Sequence, residues 1–210
     1  ARIGGESMKF GDIGELAVLT LRNPDAAMRV LRGLDLPMVA RWMALFLAVV
    51  LSRMLGVLLL MMLPVTGDDP LAQLLSDPMT MAGIEFFGMV LTAFLVTVIG
   101  RAFGGTGSFP DALLAVAWIE LLLVALMAVQ VVMLVLLPGT VDLLGMIAGA
   151  LSIYLTVTMT KALHGFTSLG KVALVYFGFS LLLGIVAVTL APGLVPLPEA
   201  FTPEQAMAIG

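Results

Sequence analysis

The 210-residue chain is 61% hydrophobic and 11% charged, with a mean hydropathy of +1.15, too little polar surface to cover a water-soluble globule of this length. Its formal net charge of −4, from 10 basic and 14 acidic residues, leaves no basic footprint for nucleic acid. It has no cysteine, which excludes disulfides, thiolate metal sites and cysteine nucleophiles.

Residues 1–37 are a polar segment, too long and too charged for the leading region of a signal peptide, so no cleaved leader is expected and the first apolar run doubles as the insertion signal. Ala1 to Ser7 precede Met8 and read as a candidate fusion remnant, set aside from fold reasoning. Asn23, Pro24 and Asp25 supply cap, first-turn proline and first-turn acid for a short amphipathic helix that Gly33 closes. Ala27, Val30, Leu31 and Leu34 share its apolar face, with Arg29 and Arg32 elsewhere. Two placements are open: on the inner membrane face, drawn to anionic lipid, or packed under a bundle with solvated arginines.

Five apolar runs follow, at about 38–63, 81–100, 110–137, 141–163 and 169–191, each long enough to cross ~30 Å of hydrocarbon at ~1.5 Å per residue. The expected fold class is an all-α, polytopic membrane helical bundle: a cytoplasmic segment (1–37), a five-span domain (38–191) and a short tail (192–210) on the far side. In the fourth run Ser152, Tyr154, Thr156, Thr158 and Thr160 alternate with apolar residues like a strand. A lone strand cannot satisfy its edges in lipid. Read as a helix, Gly145, Gly149, Ser152, Thr156 and Thr160 form a small-residue stripe, suited to packing within the bundle or, as the alternative, to a homodimer.

Six of the ten basic residues (Arg2, Lys9, Arg22, Arg29, Arg32, Arg41) precede or open the first span, Arg101 closes the second, and Lys161 and Lys171 flank the connector between the fourth and fifth. The opposite connectors and tail hold Asp68, Asp69, Asp77, Asp142, Glu199 and Glu204 without a Lys or Arg. The positive-inside rule then puts the N-terminus and the loops around 101–109 and 161–171 in the cytoplasm, and five spans send the C-terminus to the periplasm of an inner membrane.

Only Arg53 lies outside the basic set. A lone arginine at mid-span is unfavourable by ~2.5–3.5 kcal/mol, so it needs a counter-charge. Glu120 in the third span is the expected partner by depth, with Glu85 in the second as the other candidate. The three form a candidate polar cluster, either fixing helix register or lining a pathway. Elsewhere the chemistry is sparse. The single histidine, His164, has no second histidine for a metal site and reads as an interfacial loop residue beside Lys161 and Lys171. Gly104-Gly105-Thr106-Gly107 lacks the positions of a phosphate cradle and reads as a turn ended by Ser108 and Asp111, a capping-box pair for the third span. Trp42 beside Arg41 reads as an interfacial anchor. No nucleophile–base or metal pair is visible, so neither enzymatic activity nor a cofactor is expected. A faint echo between Ser108-Phe-Pro-Asp-Ala-Leu-Leu and Ser168-Leu-Gly-Lys-Val-Ala-Leu hints at parallel repeats.

Several stretches resemble the bacterial branch of the Yip1 family: Leu19-Thr20-Leu21-Arg22-Asn23-Pro24 with Ala26-Ala27, Phe103-Gly-Gly-Thr-Gly-Ser-Phe109 followed by Asp111-Ala112-Leu113, Val116-Ala117-Trp118, and Lys161-Ala-Leu-His-Gly-Phe-Thr-Ser168. The resemblance implies five spans and a cytoplasmic N-terminus, and for eukaryotic relatives a role in vesicle traffic through Rab-type GTPases. The Asp-Leu-Tyr-Gly-Pro motif of those relatives is absent, so the GTPase role is not carried over. The expected function is contact with membrane lipids or with a cytoplasmic or membrane protein partner, through the N-terminal helix and glycine-rich loops; Arg29, Arg32, Arg101, Lys161, His164 and Lys171 are the candidate residues. The alternative is a small transporter, channel or lipid-translocating protein with its path past Arg53, Glu85 and Glu120.

Overall fold

The computed structural model describes residues 10–62 and 77–190, and among them the regular structure is helical throughout. Seven α-helices follow one another: α1 (Phe10–Arg22), α2 (Pro24–Gly33), α3 (Met38–Met62), α4 (Pro78–Ala102), α5 (Phe109–Leu136), α6 (Val141–His164) and α7 (Leu169–Leu190), with a 3-10 turn at Pro138–Thr140 before α6. The last five are long and apolar enough to cross a membrane, and their bounds fall within three residues of the apolar runs. The connector at 63–76 and the tail after residue 190 lie outside the described residues. The chain divides into a first unit up to Val172 and a second from Ala173.

Helix starts follow local chemistry. Asn23 Oδ1 accepts the Ala26 N–H at 3.0 Å ahead of α2, Asp77 Oδ2 accepts that of Thr80 at 2.9 Å ahead of α4, and Ser108 Oγ accepts that of Asp111 at 3.3 Å ahead of α5. Each is followed by a proline in the first turn, where no intrahelical N–H is missed. In α7 the Ser168 hydroxyl accepts the Lys171 N–H at 3.3 Å, the same three-residue spacing as at Ser108.

Helix α5 is the hub of the first unit, packing against α3, α4, α6 and α2. Between spans lipid supplies no hydrophobic drive, so close backbone approach and dispersion must hold the helices together. Ala112 and Ala117 of α5, Ala48 of α3 and Ala93 of α4 are all fully buried and permit that approach. The core gathers toward the end where α5 begins and α6 finishes, the basic end, with Leu45, Leu113, Leu155, Met159 and Leu163 sealed.

Helices α1 and α2 cover this core. Of the two placements open from sequence, α2 takes the packed one: Ala27, Met28 and Leu31 are at most 2% exposed, and Arg29 points outward. Its arginines are not uniformly solvated, however, since Arg32 is drawn into the structure. Helix α1 was not foreseen. Its Thr20 is buried, returning its hydroxyl proton to the Leu16 carbonyl at 2.7 Å and accepting the Trp118 indole N–H at 2.9 Å, while Tyr154 donates to the Leu21 carbonyl at 3.2 Å. The small-residue stripe of α6 makes less contact than its pattern suggests. A side-chain carbon on Gly149 would meet nothing within 4 Å, and α6 buries Leu155, Val157, Thr158, Met159 and Leu163 instead.

Candidate functional site

The basic end is a polar junction built from five elements. His164 is the last residue of α6, which Gly165 ends in a left-handed conformation at φ 69°, as is common for a helix-terminating glycine. The imidazole is 3% exposed. Its Nδ1 accepts the Gly107 N–H at 3.1 Å and its Nε2 lies 3.0 Å from the Val96 carbonyl of α4. The tautomer with its proton on Nε2 satisfies both contacts. Phe166 stacks on the ring, with centroids 5.4 Å apart.

The glycines explain how a histidine enters so tight a space. A side-chain carbon on Gly100, Gly105 or Gly107 would lie 2.2, 2.4 or 2.7 Å from the His164 side chain, well inside van der Waals contact. The loop is therefore a cradle for an imidazole. The Gly105 N–H bonds to the Gly100 carbonyl at 2.8 Å, the Thr106 N–H approaches the His164 carbonyl at 3.4 Å, and Arg101 Nε donates to the Gly107 carbonyl at 2.9 Å. The expectation of His164 as an interfacial loop residue is corrected: this histidine is a buried joint between α4, the 103–108 loop and α6.

Asp111 is the second joint. Its carboxylate takes Arg41 Nη1 at 2.8 Å and Arg32 Nε at 3.3 Å, tying α5 to α3 and α2. Arg41 also donates to the Leu36 carbonyl at 2.9 Å, and Arg32 Nη2 reaches the Leu163 carbonyl at 2.6 Å. Asp111 thus accompanies the Ser108 cap while its carboxylate serves two arginines. Lys161, within α6 rather than beside a loop, pairs with Asp25 of α2 at 3.0 Å. Trp42 is part-buried against Phe86 and Phe109, at centroid distances of 6.1 and 6.4 Å. Arg29, Arg101 and Lys171 remain exposed on this end, together with Arg22.

The second cluster lies within the spans. Arg53 forms its ion pair with Glu85 of α4, so the partner expected first, Glu120, is replaced by the other candidate. The reason is azimuth. Leu45, Ala48, Val49 and Ser52 are buried at the spacing of one helical face, and Ser52 hydrogen-bonds Glu120 of α5. Arg53 is turned ~100° from Ser52 at 3.6 residues per turn, toward α4. Depth alone ranked the two glutamates the other way. Among the described residues no group of three His, Cys, Asp or Glu converges as a metal site.

Sequence reasoning gave Asp111 only a capping role and passed over the glycine cradle and the Thr20–Trp118 bond. A signal existed for the first: Asp111 opens a span on the side assigned nine of the ten basic residues, where a carboxylate is well placed to join cations.

An all-helical fold with five apolar helices of spanning length defines a multi-pass membrane protein. Residues 18–191 match the Yip1 domain, and the chain belongs to that family. No curated protein and no solved structure matches it.

Proposed function

We propose that this Yip1 domain protein is a non-enzymatic protein of the inner (plasma) membrane that acts through protein or lipid contacts made at its basic end, on the cytoplasmic side, as a scaffold that organises the membrane. One observation carries the reading. The basic end is the built part of the molecule, where Arg32–Asp111 and Lys161–Asp25 lock α2 to the spans, Trp118 and Tyr154 hold α1, and Arg41–Asp111 and the His164 cradle join the spans to one another, while Arg22, Arg29, Arg101 and Lys171 stay exposed. A rigid surface with free cations suits anionic headgroups or an acidic protein face. In the spans, by contrast, Arg53 and Glu85 neutralise each other, which supports a register-fixing role.

Reconstituted vesicles discriminate this from transport. With the full chain inserted, ion or lipid flux should equal that of protein-free vesicles, and Glu120→Gln should leave it unchanged. Flux that requires the protein and disappears in Glu120→Gln would reject the contact reading.

A further inference from the structure

The bonds that pin α1 also fix how deep it sits. Trp118 lies nine residues into α5 and Tyr154 ten residues before the end of α6, which at ~1.5 Å per residue is about 14 and 15 Å inward from the basic end. The spans run 24 to 28 residues in α5 and α6, or about 36–42 Å against ~30 Å of hydrocarbon, so each helix end overhangs by about 3–6 Å. Allowing ~5 Å for the reach of an indole, the last turn of α1 still lies inward of the hydrocarbon boundary. Neighbouring helices agree. At the same level, eight residues from their basic ends, α3 exposes Phe46 at 62% and α4 exposes Phe94 at 52%, side chains that acyl chains must cover in a bilayer.

The outward face of α1 continues this belt. Val18 is 48% and Leu21 44% exposed, and Gly14, Glu15, Val18, Leu19 and Arg22 line one open, mainly apolar face of the helix. Arg22 is exposed beside Leu21, and among the described residues no carboxylate lies within ion-pair distance of it. An arginine at this depth extends its side chain to the headgroup layer, where lipid phosphates are the anions within reach.

We infer that the last turn of α1 is immersed in the adjacent leaflet and holds an anionic phospholipid, with an acyl chain along Val18 and Leu21 and the phosphate on Arg22. A partner that enters from water does not fit this depth, and the surface exists whether or not a protein also binds the basic end.

The absence of native cysteine permits a direct test on the full chain. Single cysteines at Val18, Leu21, Phe46 and Arg29 are labelled with an environment-sensitive fluorophore in vesicles of phosphatidylcholine and phosphatidylglycerol. Spin-labelled acyl chains should quench the probes at Val18→Cys and Leu21→Cys as strongly as that at Phe46→Cys, and aqueous iodide should quench only Arg29→Cys. Val18→Cys and Leu21→Cys probes that follow Arg29→Cys instead would overturn the immersion. For the phosphate, phosphatidylglycerol is titrated onto delipidated protein in detergent with the probe at Val18→Cys. Arg22→Gln should weaken binding about fivefold, the effect of one basic residue at an anionic surface, and Arg29→Gln should leave it unchanged. Equal effects of the two substitutions, or phosphatidylcholine binding as tightly as phosphatidylglycerol, would remove the lipid from Arg22.

Discussion

At the scale of residues, the His164 joint shows packing and hydrogen bonding acting on one side chain. Removing the ring leaves the buried Gly107 N–H without its acceptor and opens a cavity, so His164→Ala should destabilise the protein by about 2–4 kcal/mol. Gly100→Ala drives a methyl to 2.2 Å from the imidazole and should cost about 1–3 kcal/mol by overpacking. Because the three atoms nearest that methyl all belong to the ring, the double variant should be more stable than the sum of the two losses implies, by at least ~1 kcal/mol. Thermal unfolding in detergent measures this, and strict additivity would dissociate the glycine from the histidine. The span charges give a second asymmetry. Glu85→Gln removes the carboxylate bonded to Arg53 and leaves it only the weaker attraction of Glu120, and should cost about 1–3 kcal/mol, up to the insertion penalty of an unpaired arginine. Glu120→Gln retains a carbonyl for the Ser52 hydroxyl and should cost under ~1 kcal/mol. Equal losses would contradict the assignment of Arg53 to Glu85.

Among the elements, the spans were legible from sequence because a run of about 20 apolar residues has few alternatives; α4 differs from its run by three residues at its start, where Asp77 and Pro78 set a cap that hydropathy does not see. Helix α1 was illegible for the opposite reason. Gly11 and Gly14 weaken its intrinsic propensity, and its helix is held by contacts far along the chain, Thr20 on Trp118 and Leu21 on Tyr154. The polar clusters were half legible: the charges announced themselves by their types, but whether Arg53 meets Glu85 or Glu120 depends on helix rotation, which depth does not report. Since α2 contributes a sealed face, Leu31→Ala should cost about 2–4 kcal/mol and bring limited proteolysis to α1 and α2 ahead of global unfolding. Cleavage there at the unmodified rate would indicate that α2 is only loosely attached.

For the molecule as a whole, sidedness lies in the basic residues: among the described residues the arginines and lysines other than Arg53 gather at the end where α1 and α2 seal the core, and the far end carries Asp77 and Asp142 with no basic residue. The basic end faces the cytoplasm if the positive-inside rule governs insertion. A membrane-impermeant thiol reagent applied to intact cells should then spare Thr106→Cys, exposed in the glycine loop, and modify Gly210→Cys; the reverse pattern would invert the orientation. The claim that this end works by contact has its most direct measurement in site-specific photo-crosslinking in native membranes. A photoreactive residue replacing Arg29 should give a discrete lipid or protein adduct that Arg101→Glu diminishes, and one replacing the exposed Asp142 at the acidic end should give none. Adducts at Asp142 with none at Arg29 would contradict the account.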